Sequence, residues 1–317
     1  QIGYPGAAIE TQTNAIMGGL TSEWRETMVH ELSHMWFANS ITNETWQHIW
    51  LNEGFATYAE ALYYRYTGNS SHNDEAAYLS HLKSKSYRFE STRTLYREDD
   101  SDFTSLFQYF YYHKGAWLLH MLRGYINNDP LFFDILKSYA QDAQFKYGHS
   151  DSETFREYIE DKTDMDFETF FDQWLYDISF PNYQYNYMQA EGLTGVTLRQ
   201  TQGSDPSKPD VFEMFMEIKF NFNDGTNRIE RVFNNKQTQT FYFEVEAGKT
   251  VSSVNLDPNE WILREAITRN TNLTVDPPPF RRWKGTVSDD WNHSANWDFG
   301  VPNAQTDAII RAGAPRY

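Results

Sequence analysis

The segment His30-Glu31-Leu32-Ser33-His34 sets two imidazoles four residues apart with a carboxylate between them. On a helix, positions i and i+4 share a face, so both rings can reach one divalent cation. Glu31 is turned about 100° from His30, close enough to act on a water beside the metal without ligating it. The chemistry this pattern could carry out is hydrolysis by a metal-activated water. Taken alone, it also fits two core or solvated histidines and an ordinary helical glutamate. Nineteen positions beyond His34 comes Glu53, within Trp50-Leu51-Asn52-Glu53-Gly54-Phe55-Ala56. A hydrolytic zinc site takes three protein ligands and keeps a fourth position open. Glu53 by itself reads equally as a surface glutamate early in a helix. The two segments together are far more specific than either.

Positioning these groups requires two helices joined by a reversal. Thr21-Ser22, followed by Glu23 and Glu26, predicts a helix start with acid in its first turn, ending near Asn39-Ser40. The loop from Asn39 to Ile49 lets a second helix return antiparallel, from about Asn52 to Tyr66, stopping at Gly68-Asn69. Further helical periodicity runs at about 104–127, 129–143, 151–162 and 166–177. From Tyr183 to Leu263 the period changes to two, clearest in Phe212, Met214, Met216, Ile218, Phe220 and Phe222. Asn223-Asp224-Gly225 and Ala247-Gly248 separate the strands. Pro277-Pro278-Pro279 marks a linker, and Trp291-Asn292 and Asn296-Trp297 follow in a short tail. The expected class is α+β and multidomain: a mainly helical domain over 1–182, a small antiparallel β-sandwich over 183–270, and a Pro-rich linker with a partial β-rich module over 271–317.

Composition narrows the function classes. In 317 residues, 40% hydrophobic and 17% aromatic content supplies a sizeable core. The 44 acidic against 27 basic residues give a net charge of −17, which disfavours a nucleic-acid partner. No apolar run reaches the roughly 20 residues of a membrane span. Cysteine is absent, excluding thiolate ligands and thiol nucleophiles. The chain opens at Gln1 without Met, and the expectation is a piece of a longer protein.

With both segments in hand, the sequence resembles the M1 family of zinc aminopeptidases, in the gluzincin clan. Tyr112-His113-Lys114-Gly115-Ala116 is similar to the family's Tyr-x-Lys-Gly-Ala segment, with Tyr111 a second choice for the Tyr. Gly6-Ala7-Ala8-Ile9-Glu10 resembles a diverged Gly-Ala-Met-Glu-Asn segment in which Ala7, Ile9 and Thr11 replace Gly, Met and Asn. The β-rich segment resembles the small sandwich that follows the catalytic domain, and Asp257-Pro258-Asn259-Glu260-Trp261 fits its closing pattern. The likeness covers about residues 1–265, without the family's large N-terminal β-domain. It implies a thermolysin-like fold and one Zn²⁺ per chain on His30, His34 and Glu53. It also implies Glu31 as general base, Tyr112 as donor to the oxyanion and Glu10 as the anchor of the substrate's free α-amine. The substrates implied are peptides with a free N-terminus.

Two alternatives stay open: an endopeptidase on a related scaffold, and a secreted binding or adhesion module without catalysis. Glu60, seven residues after Glu53, could orient a histidine ligand or simply be solvated. His48, His72, His81, His113, His120, His149 and His293 lack a partner pattern and read as structural or exposed. Asn43-Glu44-Thr45 and Asn69-Ser70-Ser71 match glycosylation sequons, a frequent chance match. The acidic composition, the lack of cysteine and the tail together point to a bacterial extracellular or cell-surface setting.

Overall fold

The computed structural model describes residues 8–19, 21–67, 74–86, 92–99, 101, 105–203 and 208–310. They form two compact units. The first comprises Gln1–Phe180, Ser204–Phe215 and Glu260–Leu263, and the second comprises the remainder.

The first unit opens with an antiparallel hairpin of β1 (Ala8–Thr11) and β2 (Asn14–Met17). Next comes α1 (Arg25–Ser33), then β3 (Ile41–Asn43) and the long α2 (Trp50–Thr67). They are followed by α3 (Glu75–Ser86), α4 (Tyr109–Ile126) and α5 (Asp129–Gln141). The short β4 (Gly148–Ser150) runs parallel to β3, ahead of α6 (Ser152–Thr163). Finally α7 (Glu168–Phe171) passes into a π-helical turn at Asp172–Tyr176.

Local chemistry sets several of these ends. The Asn128 side chain accepts from the Leu131 backbone N–H at the start of α5, with Pro130 in the first turn. Asp151 does the same for Thr154 at α6. Asn127 and Asp164 close α4 and α6 in the left-handed conformation.

α1 ends at Ser33, six residues short of the expected stop near Asn39-Ser40. The chain turns there so that the Phe37 carbonyl comes back onto His34, and Ile41 N donates to the Trp36 carbonyl. α3 was not expected at all. Its buried stripe is only Tyr78, His81 and Leu82, too narrow for a strong periodic signal.

α2 is buried on almost every side, from Trp50 through Ala61. An aromatic cluster of Phe37, Phe55, Tyr139 and Phe155 packs beside it, with ring centres 4.3–5.3 Å apart for Phe37–Phe55, Phe55–Phe155 and Tyr139–Phe155. Where α2 crosses α4, Gly54 faces Gly115. A Cβ on Gly54 would stand 2.8 Å from the Gly115 Cα, and a Cβ on Gly115 equally close to Gly54. Two glycines here let the helix backbones touch, which sets how near Glu53 comes to Tyr112.

The second unit carries two sheets, ordered β10-β7-β8 and β11-β5-β6-β9. The strands are β5 (Tyr183–Ala190), β6 (Leu193–Gln200), β7 (Met214–Phe222), β8 (Asn227–Asn234), β9 (Thr238–Glu244), β10 (Val251–Leu256) and β11 (Ile267–Arg269). Met216, Ile218, Phe220 and Phe222 point inward, as the alternation predicts. Phe220 meets Phe243 across the sheets at 5.0 Å. The expected purely antiparallel arrangement needs one correction, because edge strand β11 runs parallel to β5. In the tail, β12 (Phe280–Arg282) and β13 (Asp307–Ile309) also pair in parallel. There Asn296 is fully buried, accepting from the backbone of Val287 and Ser288 and donating to Ser288 Oγ and the Asp290 carbonyl. The rings of Trp283 and Trp291 both pack against the buried Trp297.

Two outcomes follow for α4. Gly115→Ala should lower stability by about 1–3 kcal/mol, as overpacking does, seen as a lower urea midpoint with unchanged slope. An unchanged midpoint would mean that the helices have room to spare. Lys114 is fully buried, with Nζ 3.5 Å from the Asp177 carbonyl and near the rings of Phe110 and Phe180. Burial pulls its pKa down to about 7. Between about pH 7 and its ordinary value of 10.5 the unfolded chain therefore binds more protons, and stability rises with pH. Lys114→Met should stabilise by about 1–4 kcal/mol at neutral pH, with the gain fading toward pH 10.5 in denaturation curves taken across that window.

Candidate active site

His30 lies in the last turn of α1, and His34 is the residue that caps it. Their rings are nearly perpendicular, with centres 4.7 Å apart. Glu53 enters from the first turn of α2, its Oε2 3.1 Å from His30 Nε2 and 3.4 Å from His34 Nε2. All three side chains are buried, and their ligand-type atoms lie within 4.8 Å of one another.

The far nitrogens of the two rings are engaged. His30 Nδ1 donates to Glu60 Oε1 at 2.9 Å, and His34 Nδ1 donates to the Phe37 carbonyl at 3.0 Å. With Nδ1 committed outward as donor, Nε2 is the nitrogen of each ring turned toward Glu53, and it is the one that could ligate once its proton is given up. Glu60 therefore belongs to the site, as the residue that orients His30. The two-turn spacing from Glu53 was the signal for it.

Burial alone would depress His30, but the carboxylates of Glu53 and Glu60 overrule it and hold its pKa at about 10. Burial would raise Glu53; the two imidazoles pull it down to about 2 instead. Two imidazole nitrogens and one carboxylate oxygen within 4.8 Å of one another, with each ring's other nitrogen anchored from behind, is a donor set that suits Zn²⁺.

Glu31 is buried with its Oε2 lacking any hydrogen-bond partner among the described atoms. Burial chiefly raises its pKa, the two histidines opposing. Glu10, on β1, brings its carboxylate within 4.8 Å of the ligand-type atoms of Glu31 and His34. Gly6 and Ala7, from the same resembling segment, lie outside the described residues. Tyr112, in the first turn of α4, stacks on His30 with ring centres 5.6 Å apart and planes 12° off parallel. Burial, with the carboxylates of Glu53, Glu10 and Glu31 adding to it, pushes its hydroxyl well above the ordinary tyrosine value, so it stays a proton donor. Tyr111 lines a different cleft, beside Arg97 and Tyr176.

One cleft of about 460 Å³ gathers His30, Glu31, His34, Glu53, Glu10 and Tyr112. Glu26, Glu60 and Lys85 line it as well, as do the exposed rings of Phe107 and Tyr109. Of the histidines read as structural, His120 is one, bonded to Tyr78 and the Glu260 carbonyl and held at about pKa 3 by burial. His81 is not isolated, because its Nε2 sits 3.1 Å from Glu60 Oε2. Nothing in the sequence pointed to it, since α3 itself gave so faint a signal. The sequon asparagine Asn43 is buried and accepts from Asn52.

Comparison with known proteins agrees with this geometry. Residues 11–174, more than half of the chain, match the family model described as "Peptidase family M1 domain". Aminopeptidase N of Streptomyces lividans is 30% identical over 155 residues, covering 47% of this chain and 18% of that protein. Aminopeptidase Q of Acinonyx jubatus is 28% identical over 165 residues, 48% of this chain and 16% of that protein. Aminopeptidase N of Rattus norvegicus is 24% identical over 255 residues, 74% of this chain and 24% of that protein. The chain thus spans about a sixth to a quarter of the length of these relatives. Among solved structures, aminopeptidase A of Legionella pneumophila in complex with aspartic acid shares the fold. Its TM-score is 0.63 at 14% identity, over 83% of this chain and 31% of that one. On the family match and the clustered site residues it contains, the chain belongs to peptidase family M1.

Proposed function

We propose that this chain carries the active centre of a zinc-dependent aminopeptidase, which hydrolyses N-terminal residues from peptides. The observation that carries the proposal is the convergence of His30 Nε2, His34 Nε2 and Glu53 Oε2 within 4.8 Å of one another. These three residues would hold one Zn²⁺. Bound there, the ion would supply a Lewis acid for the scissile carbonyl and acidify a water to near neutrality.

The chain's own residues do the rest. Glu31, buried and with Oε2 unpartnered among the described residues, accepts the proton of the attacking water and passes it to the leaving amine. Tyr112 keeps its proton at working pH and donates a hydrogen bond to the oxygen on which charge develops. Glu10 faces the same cleft and takes the protonated α-amine, because a cation entering a partly dehydrated cleft needs an anionic partner. The carboxylates of Glu10, Glu26, Glu31, Glu53 and Glu60 outnumber Lys85, His30 and His34, which gives this cleft the sign that attracts a free N-terminus.

The test uses aminoacyl chromogenic substrates and zinc content measured on the same samples. Glu31→Gln should lose about 10²–10⁴ in turnover while still binding one zinc. Tyr112→Phe should lose about 10²–10³ with KM little changed. Glu10→Gln should impair cleavage of free peptides, and N-acetylated peptides should be poor substrates of the parent chain. Full activity in the Glu31 variant would remove the base assignment. Equal cleavage of acetylated peptides would favour the endopeptidase.

A further inference from the structure

We propose that His81 and Lys85, on the outer helix α3, are positioning residues for the metal centre that act through Glu60. The inference rests on the zinc reading of His30, His34 and Glu53 given above.

Glu60 is nearly buried and is held at both of its oxygens. Oε1 takes the Nδ1 proton of His30 at 2.9 Å. Oε2 meets His81 Nε2 at 3.1 Å and Lys85 Nζ at 3.2 Å. The orientation of the His30 ring is set by Glu60, and the orientation of Glu60 is set from α3. The α3 pair is itself fixed. The His81 ring lies against Tyr64 at 4.8 Å, with planes 26° apart. Tyr64 donates to Glu26 Oε1 at 2.6 Å, and Glu26 Oε2 stands 3.5 Å from Lys85 Nζ. Glu26 precedes His30 by one helical turn on α1, so three helices close one polar lock behind a single imidazole.

Glu26, Glu60 and His81 also bring ligand-type atoms within 4.8 Å of each other, which on its own would suggest a second cation site. Lys85 argues against it, because its ammonium already sits at both carboxylates. That fixed charge does what a second cation would do. It anchors Glu60 Oε2, so that Oε1 stays turned to His30 Nδ1 and His30 Nε2 stays turned to the centre. Without His81 the Oε2 of Glu60 keeps only the flexible Lys85 ammonium, the carboxylate is held less firmly, and the brace on the His30 ring weakens.

The experiment measures zinc affinity and release with a chromogenic chelator, on the whole chain and on His81→Leu, His81→Gln and Lys85→Met. The melting temperature of each metal-free form is recorded alongside. The parent should hold one zinc. His81→Leu should release it about tenfold faster, the lower end of the effect of losing an outer hydrogen-bond partner. His81→Gln, which can still donate to Glu60, should recover most of that loss, and Lys85→Met should show a smaller acceleration. If the parent binds no zinc, the metal reading itself fails. If the parent binds zinc and His81→Leu and Lys85→Met release it at the parent rate, only the present inference fails. Fast release from His81→Gln as well, tracking a lowered melting temperature, would make His81 a packing residue and overturn its positioning role. Should His81→Leu fail to fold, the Gln and Lys85 variants decide between these outcomes.

Discussion

A carboxylate held between two imidazoles governs this molecule. Glu53 is 4% exposed, and an unpaired charge there would be strongly disfavoured. His30 and His34 make its burial tolerable, and they can do so only if α1 and α2 run close together with their polar faces toward each other. Much of the first unit reads as a response to that demand. α2 is enclosed by neighbours almost all round, which keeps water away from the pair. The backbone contact at Gly54 and Gly115 draws α4 in, so the Tyr112 ring lies on His30 and shields it from one side.

The same demand explains the tiers of charge. Glu10, Glu31, Glu53 and Glu60 crowd one cleft, and an array of anions repels itself unless positive charge is interleaved. The structure interleaves it by distance from the centre: the imidazoles first, then Lys85 at the outer edge of Glu60. A divalent ion among the two histidines and Glu53 would take the place of the rings' inner protons as the positive charge at the centre. Glu31 is the exception, a buried carboxylate with one oxygen lacking a partner among the described residues. An atom left so is costly to the fold, and its position beside the two histidines suits the proton-accepting role proposed for it.

The heart of the site could be read from the sequence because it is encoded locally. His30, Glu31 and His34 sit on one helical turn, and the Asn-Glu-Gly-Phe-Ala stretch marks Glu53 without knowledge of the fold. Tyr112 and Glu10 were legible only through a family resemblance, since an aromatic cluster and a strand glutamate carry no chemistry of their own in a sequence. His81 and Lys85 were not legible. They lie on a helix with a meagre apolar stripe, and their partner Glu60 is distant in sequence, so only folding reveals the contact. The early end of α1 was missed for a related reason. The turn after His34 is imposed by its carbonyl contact and by β3, not by any local terminator. In the second unit the strict alternation of β7 exposed its inner face directly, whereas the parallel pairing of β11 with β5 depends on topology that alternation does not carry.

The pairing of β3 with β4 reaches beyond architecture. The turn that aims the Phe37 carbonyl at His34 leads straight into β3. That strand is fastened by β4 and by Tyr147 N donating to the Ser40 carbonyl, from a stretch roughly a hundred residues further along the chain. Contacts of such long sequence separation close late, after the local helices have formed. During synthesis, then, the imidazole pair emerges roughly a hundred residues ahead of the segment that fastens the strand beside it.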